Sequence, residues 1–434
     1  MPDLQLRKKM IYFNVMATER IWTWQLILNW ASRILFFVSL SALLPVMPNY
    51  IDDLGGNHSQ VGVVMSSFAL GVLLFRPLVG KQIDSVGRKA VLIIGTLIFI
   101  VSPFVYMFIK SVPTLIPVRV FHGLGLAAFG TASITLITDA APLSRRGQVI
   151  SYTGMINTIA FAFGPVVGVY VWENWGYNVL FGFVAGLSLL CLFLALLLRE
   201  THAPHLARNE VNYFEAIKQR HVLVSATIIL LVALIHGGVM FYMPLFLKDF
   251  GVNIGLFFTV YGVSAFLIRL AVGNVSDQFG RGPIVVFSLV CLGLGVLVLS
   301  QVSGAPTMFA SAVLYGTGFG SLQPTLTALV ADSTTEETRG KIFSFYYGGF
   351  DLGISAAGVV LGGVAETFGI KSMFLVCVGL ALLALLVFVT LIERSPAQSL
   401  KCAFRLKPVG KECPICDQYM EVRPEEVEEY FKSK

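Results

Sequence analysis

Long apolar runs alternate with short polar segments along almost the whole chain. The runs "VLIIGTLIFIVSPFVYMFI" at 91–109 and "FLVCVGLALLALLVFVTLI" at 374–392 carry no charged residue. About 20 apolar residues cross the roughly 30 Å hydrocarbon core of a bilayer. Backbone in lipid must satisfy its own hydrogen bonds, and a continuous run does so as a helix. Twelve such helices are predicted, spans one to twelve, at about 24–48, 60–80, 90–110, 114–138, 148–171, 177–198, 222–247, 255–275, 283–301, 306–331, 341–364 and 371–392. Composition agrees: 56% of residues are hydrophobic and 13% charged, against about 25% charged in a soluble domain. The pattern predicts an all-α membrane protein and excludes a soluble one.

The polar segments set orientation. Of the 31 Lys and Arg, only Lys110, Lys248 and Lys371 fall on one face, and Arg33, Arg76, Arg119 and Arg269 fall within spans. All the others lie in the N-terminus, the even-to-odd loops and the tail. Basic loops stay in the cytoplasm, so both termini are expected there, with the chain multi-pass in the cell (plasma or inner) membrane. The net charge of +6 follows from topology and implies no nucleic-acid partner. No removable signal peptide is expected, because Lys8 and Lys9 stand well ahead of span one, which has no small-residue cleavage site.

The second half of the chain repeats the first at an offset of 193: Gly62/Gly255, Arg76/Arg269, Gly80/Gly273, Asp84/Asp277, Gly87/Gly280, Arg88/Arg281, Asp139/Asp332 and Gly176/Gly369. Two six-helix halves in the same orientation are the signature of a transporter built from parallel repeats, with its site between them. The expected organisation is a cytoplasmic N-terminus (1–23), an N-terminal half (24–198), a linker (199–221), a C-terminal half (222–392) and a cytoplasmic tail (393–434).

Two polar turns stand out, "GKQIDSVGRK" at 80–89 and its repeat "GNVSDQFGRG" at 273–282. They are read as gating loops made by Gly80, Asp84, Gly87, Arg88, Gly273, Asp277, Gly280 and Arg281. Gly80 and Gly87 allow close approach and positive φ. Asp84 can face the positive N-terminal end of a neighbouring helix. Arg88 and Lys89 can pair with it or reach anionic headgroups.

These residues resemble the loop motif between helices two and three of the major facilitator superfamily. "RVFHGLGLAAFG" from Arg119 is similar to that family's fourth-helix motif with its buried Arg, and the likeness covers residues 24 to 392. "GMINTIAFAFGPVVGVYVWENWG" from Gly154 is similar to the fifth-helix motif of its drug:proton antiporters, centred on Gly164, Pro165 and Gly168. The resemblance implies the major facilitator fold, a cavity lined by spans one, four, seven and ten, and export. Beside it, Gly164 and Gly168 would let a neighbouring helix approach closely at the boundary between the halves, and Pro165 removes a backbone hydrogen bond.

Ionisable residues in a span are costly and mark function by default. Asn29 and Arg33 share a face of span one, and Arg119 and His122 are neighbours on span four. His236 lies mid-span seven, Asn157 mid-span five, Gln323 mid-span ten, and Asp351 and Tyr347 on span eleven. Asn29, Arg33, Asn157, His236, Gln323 and Tyr347 are the candidate cavity residues; Asp351, Arg119, His122 and His236 are the candidate proton-coupling residues. Asp351 is the only acid deep in a span, so it is the first candidate carrier, releasing its proton when Arg33 or Arg119 approaches. Arg76 and Arg269 read instead as snorkelling or bracing residues at cytoplasmic helix ends.

Span one departs from many drug:proton antiporters in having Arg33 and no acid, which disfavours lipophilic cations and suits an anionic, zwitterionic or polyhydroxylated solute. In the tail Cys413 and Cys416 have metal-ligand spacing and Cys402 could make a third ligand, short of the four a structural zinc takes unless an acid such as Asp417 or a second chain contributes; the alternative is an ordinary tail. No cofactor is expected, and no enzyme: the spans hold no nucleophile–base pair or phosphate loop. The reading reached is a proton-coupled secondary transporter exporting a small organic solute or drug by alternating access, acting as a monomer in contact with membrane lipid. Proton-coupled uptake, sugar efflux and a non-transporting receptor on the same fold remain alternatives.

Overall fold

The computed structural model describes residues 21–142, 145–200, 219–248, 250–332, 334 and 336–392. The side chains of Asp84 and Asp277, and all of Cys402, Cys413 and Cys416, lie outside the described residues.

Among the described residues nine stretches are long and apolar enough to cross a membrane, two of them, Gln148–Leu197 and Phe345–Leu391, of double length. Each double stretch is divided by a glycine that turns the chain, Gly176 at φ 78° and Gly369 at φ 83°. With Ala305–Asp332 the described residues make twelve spans. Span one is Trp24–Leu43 continued by Met47–Asp53, span two His58–Val86, span three Arg88–Tyr106 and span four Val112–Ala140. Spans five and six are the two parts of Arg146–Leu197. Span seven is Arg220–Lys248, span eight Ile254–Phe279, span nine Arg281–Ser300 and span ten Ala305–Asp332. Spans eleven and twelve are the two parts of Glu336–Leu391.

The glycines at positive φ form three repeat-related pairs: Gly55 with Gly251, whose offset of 196 reflects one outer loop of different length, Gly87 with Gly280, and Gly176 with Gly369. Only glycine adopts this conformation without steric cost, so the internal repeat extends to the backbone of the turns.

Helices two and eight run further than their apolar stretches. Lys81, Gln82 and Asp84 continue span two to Val86, and only Gly87, at φ 105°, ends it. Gly280, at φ 95°, ends span eight in the same way. This corrects the expected turns. Gly80 is helical with nothing packed within 4 Å of where a Cβ would stand, and Gly273 likewise.

Arg88 is also corrected. It is buried, and its Nε donates to Asp139 Oδ2 of span four at 3.2 Å rather than reaching for headgroups. Arg281 repeats the contact to Asp332 at 3.2 Å. The Glu200 carboxylate accepts from the backbone N–H groups of Arg88 (3.0 Å) and Lys89 (2.9 Å), opposite the positive end of span three.

Spans three, six, nine and twelve turn apolar faces outward, as Ile94, Leu97, Val101 and Phe104 do on span three. Spans two and eleven pack together between the halves, as do spans five and eight. The face bearing Gly87 and Gly280 is called here the turn face, and the opposite one the distal face.

Candidate transport site between the halves

On the distal side the halves are in contact at several points. Spans two and eleven cross at Gly62 and Gly358, where a Cβ on either would overlap the other's carbonyl. Ser66 Oγ accepts from Gly358 N–H at 2.9 Å, and Tyr242 of span seven donates to the His58 carbonyl at 3.0 Å. Lys248 lies 3.6 Å from Asp52 and 3.8 Å from Asp53 at the distal end of span one. Spans five and eight meet where Gly262 faces Ala162.

Nearer the turn face two arginines reach across. Arg76 of span two places Nη1 2.5 Å from Asp351 Oδ2 of span eleven. Arg269 of span eight donates through Nη1 to Thr158 of span five, through Nη2 to Gln323 Oε1 at 2.8 Å and through Nε to the Gly320 carbonyl at 3.3 Å. Arg76 and Arg269 each stand ten residues before the end of their helix, about 15 Å at 1.5 Å per residue. Both side chains tie one half to the other, so of the two roles expected for them the contacts show bracing.

These two contacts are repeats of each other. Arg76 and Arg269 are 193 residues apart, and so are Thr158 and Asp351. One arginine meets a carboxylate and the other a hydroxyl at the equivalent place.

In the N-terminal half a buried polar cluster gathers Asn29, Arg33, Ser133 and Asn157. Arg33 donates from Nε to Asn157 Oδ1 at 2.8 Å and from Nη1 to Ser133 Oγ at 3.0 Å. Ser133 in turn donates to Asn29 Oδ1 at 2.8 Å. Arg33 also lies over the Phe37 ring at 4.9 Å. Arg119 is 3% exposed, lies over the Phe68 ring at 4.6 Å, and directs Nη2 to Met65 Sδ at 3.8 Å. His122 shares a hydrogen bond with Tyr106 Oη at 3.0 Å. Arg119 Nε and His122 Nε2 are buried with no acceptor or donor among the described residues. Neither Arg33 nor Arg119 is the partner of Asp351; Arg76 is.

In the C-terminal half His236 Nδ1 shares a hydrogen bond with Tyr315 Oη at 2.8 Å and stacks on Phe319 at 4.0 Å. Tyr347 stacks on Phe343 at 6.0 Å and, with Tyr261, lies within electrostatic reach of Arg269. Tyr315 is the repeat mate of His122, so each half pairs one His with one Tyr at this helix position.

The span-five motif faces span one of its own half. A Cβ on Gly168 would overlap the Ala42 carbonyl, and one on Gly164 the Ser41 hydroxyl, whereas residues 158, 162 and 169 of the same helix face span eight. The close approach expected at Gly164 and Gly168 is present, but within the half instead of between halves.

Arg76, Arg269 and Thr158 are the site residues that sequence reasoning passed over. The signal was available: the offset that paired the turns also pairs Asp351 with Thr158. Among the described residues no cluster of His, Cys, Asp and Glu could hold a metal.

The chain is 26% identical over 379 residues to the staphylopine export protein of Staphylococcus aureus (strain Mu50 / ATCC 700699), covering 83% of this chain and 94% of that one. It is 24% identical over 397 residues to the multidrug resistance protein MdtG of Klebsiella pneumoniae (strain 342), covering 87% and 95%. Among solved structures, that of the nucleoside transporter NupG superposes with a TM-score of 0.72 at 15% identity, over 86% of this chain and all of the other. That of the human organic anion transporter MFSD10 (TETRAN) superposes with a TM-score of 0.62 at 16% identity, over 84% and 98%. At such identities the structures speak for the fold alone. The Major Facilitator Superfamily profile matches residues 30–267 and 252–409, and the chain belongs to that superfamily of membrane transporters, which are not enzymes.

Proposed function

We propose that the protein is a proton-coupled exporter of a small organic solute, working by alternating access as a monomer, with both termini and the turn face in the cytoplasm. The observation that carries this reading is the Arg76–Asp351 ion pair, which joins the halves, in what we take to be a form closed on the distal side. Protonating Asp351 removes the negative partner, so proton binding and the packing of the two halves become coupled quantities. The pair is partly exposed, at 42% and 15% of the two side chains. Its worth is therefore that of a contact easily made and broken, about 1 kcal/mol. Arg33, Asn29 and Asn157 on one side and His236 and Gln323 on the other supply polar lining, and His122 is the reserve proton carrier. The span-five motif and the relatives, one an export protein and one a multidrug resistance protein, favour export.

The test is solute accumulation in everted membrane vesicles under an imposed pH gradient, across anions, zwitterions and cations. The reading expects gradient-driven uptake that a protonophore abolishes. Movement of no solute, or movement indifferent to the gradient, would contradict it.

A further inference from the structure

The Arg76–Asp351 contact has a repeat mate from which the carboxylate is missing. At the span five/eight interface Arg269 is held by Thr158, Gln323 Oε1 and the Gly320 carbonyl, all of them neutral. No carboxylate among the described residues pairs with it. An arginine inside the membrane without a counter-ion is costly. Three neutral acceptors offset only part of that cost, and they fix the guanidinium in one orientation between the halves.

The shortage of negative charge is general at this depth. Arg33, Arg76, Arg119 and Arg269 lie within the spans, and Asp351 is the one acid that faces any of them there among the described side chains. Arg33 is held by Asn157 and Ser133, and Arg119 lies against Met65 and the Phe68 ring with its Nε unpartnered among the described residues, both inside one half. Arg269 differs, because its partners come from both halves, at the place where its mate holds an acid. A guanidinium recognises a carboxylate through paired, charge-assisted hydrogen bonds.

We propose that Arg269, with Thr158 and Gln323, is the carboxylate-binding subsite for the transported solute, the solute's own carboxylate standing where Asp351 stands in the other half. This rests on the transporter reading above and names its substrate class, small organic carboxylates. A solute carboxylate bound there balances the charge of Arg269 between the halves as Asp351 balances that of Arg76.

The experiment is thermal unfolding of the full chain in lipid nanodiscs, without any pH gradient, titrated with nicotinate, citrate and glutamate. Nicotinamide is the uncharged control and tetraphenylphosphonium the cationic one. At least one of the three carboxylates should raise Tm saturably, with no shift from nicotinamide or tetraphenylphosphonium. Arg269→Gln should weaken that binding by roughly tenfold or more, the value of a charged hydrogen bond. Thr158→Asp should weaken it as much, by installing the missing carboxylate, and Gly186→Leu, at an exposed position of span six with open space around it, should leave it within about threefold, well under the 1.4 kcal/mol of a tenfold change. If Thr158→Asp does not fold, Arg269→Lys takes its place, with a smaller loss expected because a lysine cannot make the paired contact. The proposal is overturned if none of the three carboxylates shifts Tm, if tetraphenylphosphonium does so instead, or if Arg269→Gln binds as wild type. Any of these would leave the proton-coupling role of Asp351 standing, since that role is read from flux.

Discussion

Arg76 and Asp351 meet between the two halves, Nη1 to Oδ2 at 2.5 Å, and their repeat mates Arg269 and Thr158 meet between the same halves on the other side. The two contacts sit at the same depth in their helices and differ by one carboxylate. A symmetric scaffold thus carries an asymmetric charge, which a proton on Asp351 would remove.

If the Arg76–Asp351 pair braces the distally closed form, removing either partner should lower the population of that form. At about 1 kcal/mol for a partly exposed pair, Arg76→Ala should shift it roughly fivefold, since 1.4 kcal/mol is tenfold. The reporter is labelling of a single cysteine placed on the distal side. The exchanged pair, Arg76→Asp with Asp351→Arg, should return labelling toward wild type. Single variants that label as wild type would show that the pair does not depend on the conformation.

Two kinds of glycine contact should behave differently. Gly62→Leu or Gly358→Leu places a side chain against the opposing backbone where spans two and eleven cross, so the folded protein should fail to seal distally and lose transport. Gly168→Leu meets the Ala42 carbonyl inside one half and should instead lower stability, by about 1–3 kcal/mol for overpacking. Gly154→Leu, with open space around it, should do neither. Equal thermal stability of Gly154→Leu and Gly168→Leu would refute the packing assigned to the span-five motif.

The repeated Arg–Asp pairs at the turn face should be unequal. Arg88 and Asp139 are 6% and 17% exposed, Arg281 and Asp332 25% and 53%. Breaking a buried pair leaves an uncompensated charge at about 3–5 kcal/mol, whereas an exposed one contributes about 0–1 kcal/mol. Arg88→Ala should therefore unfold at a clearly lower temperature than Arg281→Ala. The same loss for both would mean that burial does not set the value of these pairs.

Much of this architecture could be read from the chain. Periodic apolar runs of bilayer length gave the spans, and the offset of 193 gave the halves, down to glycines such as Gly87 and Gly280 whose φ values agree within about ten degrees. The inner ends of spans two and eight could not be read from hydropathy, because residues such as Lys81 and Gln82 are helical while being polar. Read as residues at helix ends, Arg76 and Arg269 gave no hint of their contacts across the halves. Partners across the interface were also illegible. Nothing in the local sequence of Asp351 distinguishes Arg76 from Arg33 or Arg119, since the choice is made by how spans two and eleven cross. Likewise Gly164 and Gly168 announced a close contact without saying that span one makes it.

The central claim is that Asp351 carries the coupled proton, exchanging it against its contact with Arg76. The most direct measurement compares Asp351→Asn with wild type in two assays on the same vesicles: solute flux driven by a pH gradient, and exchange of labelled for unlabelled solute without one. Asparagine keeps the size of the side chain and cannot take up or release the proton. The account predicts that driven flux is lost while exchange continues near the wild-type rate. Driven flux that survives in Asp351→Asn would contradict it and would transfer the proton to His122 or His236.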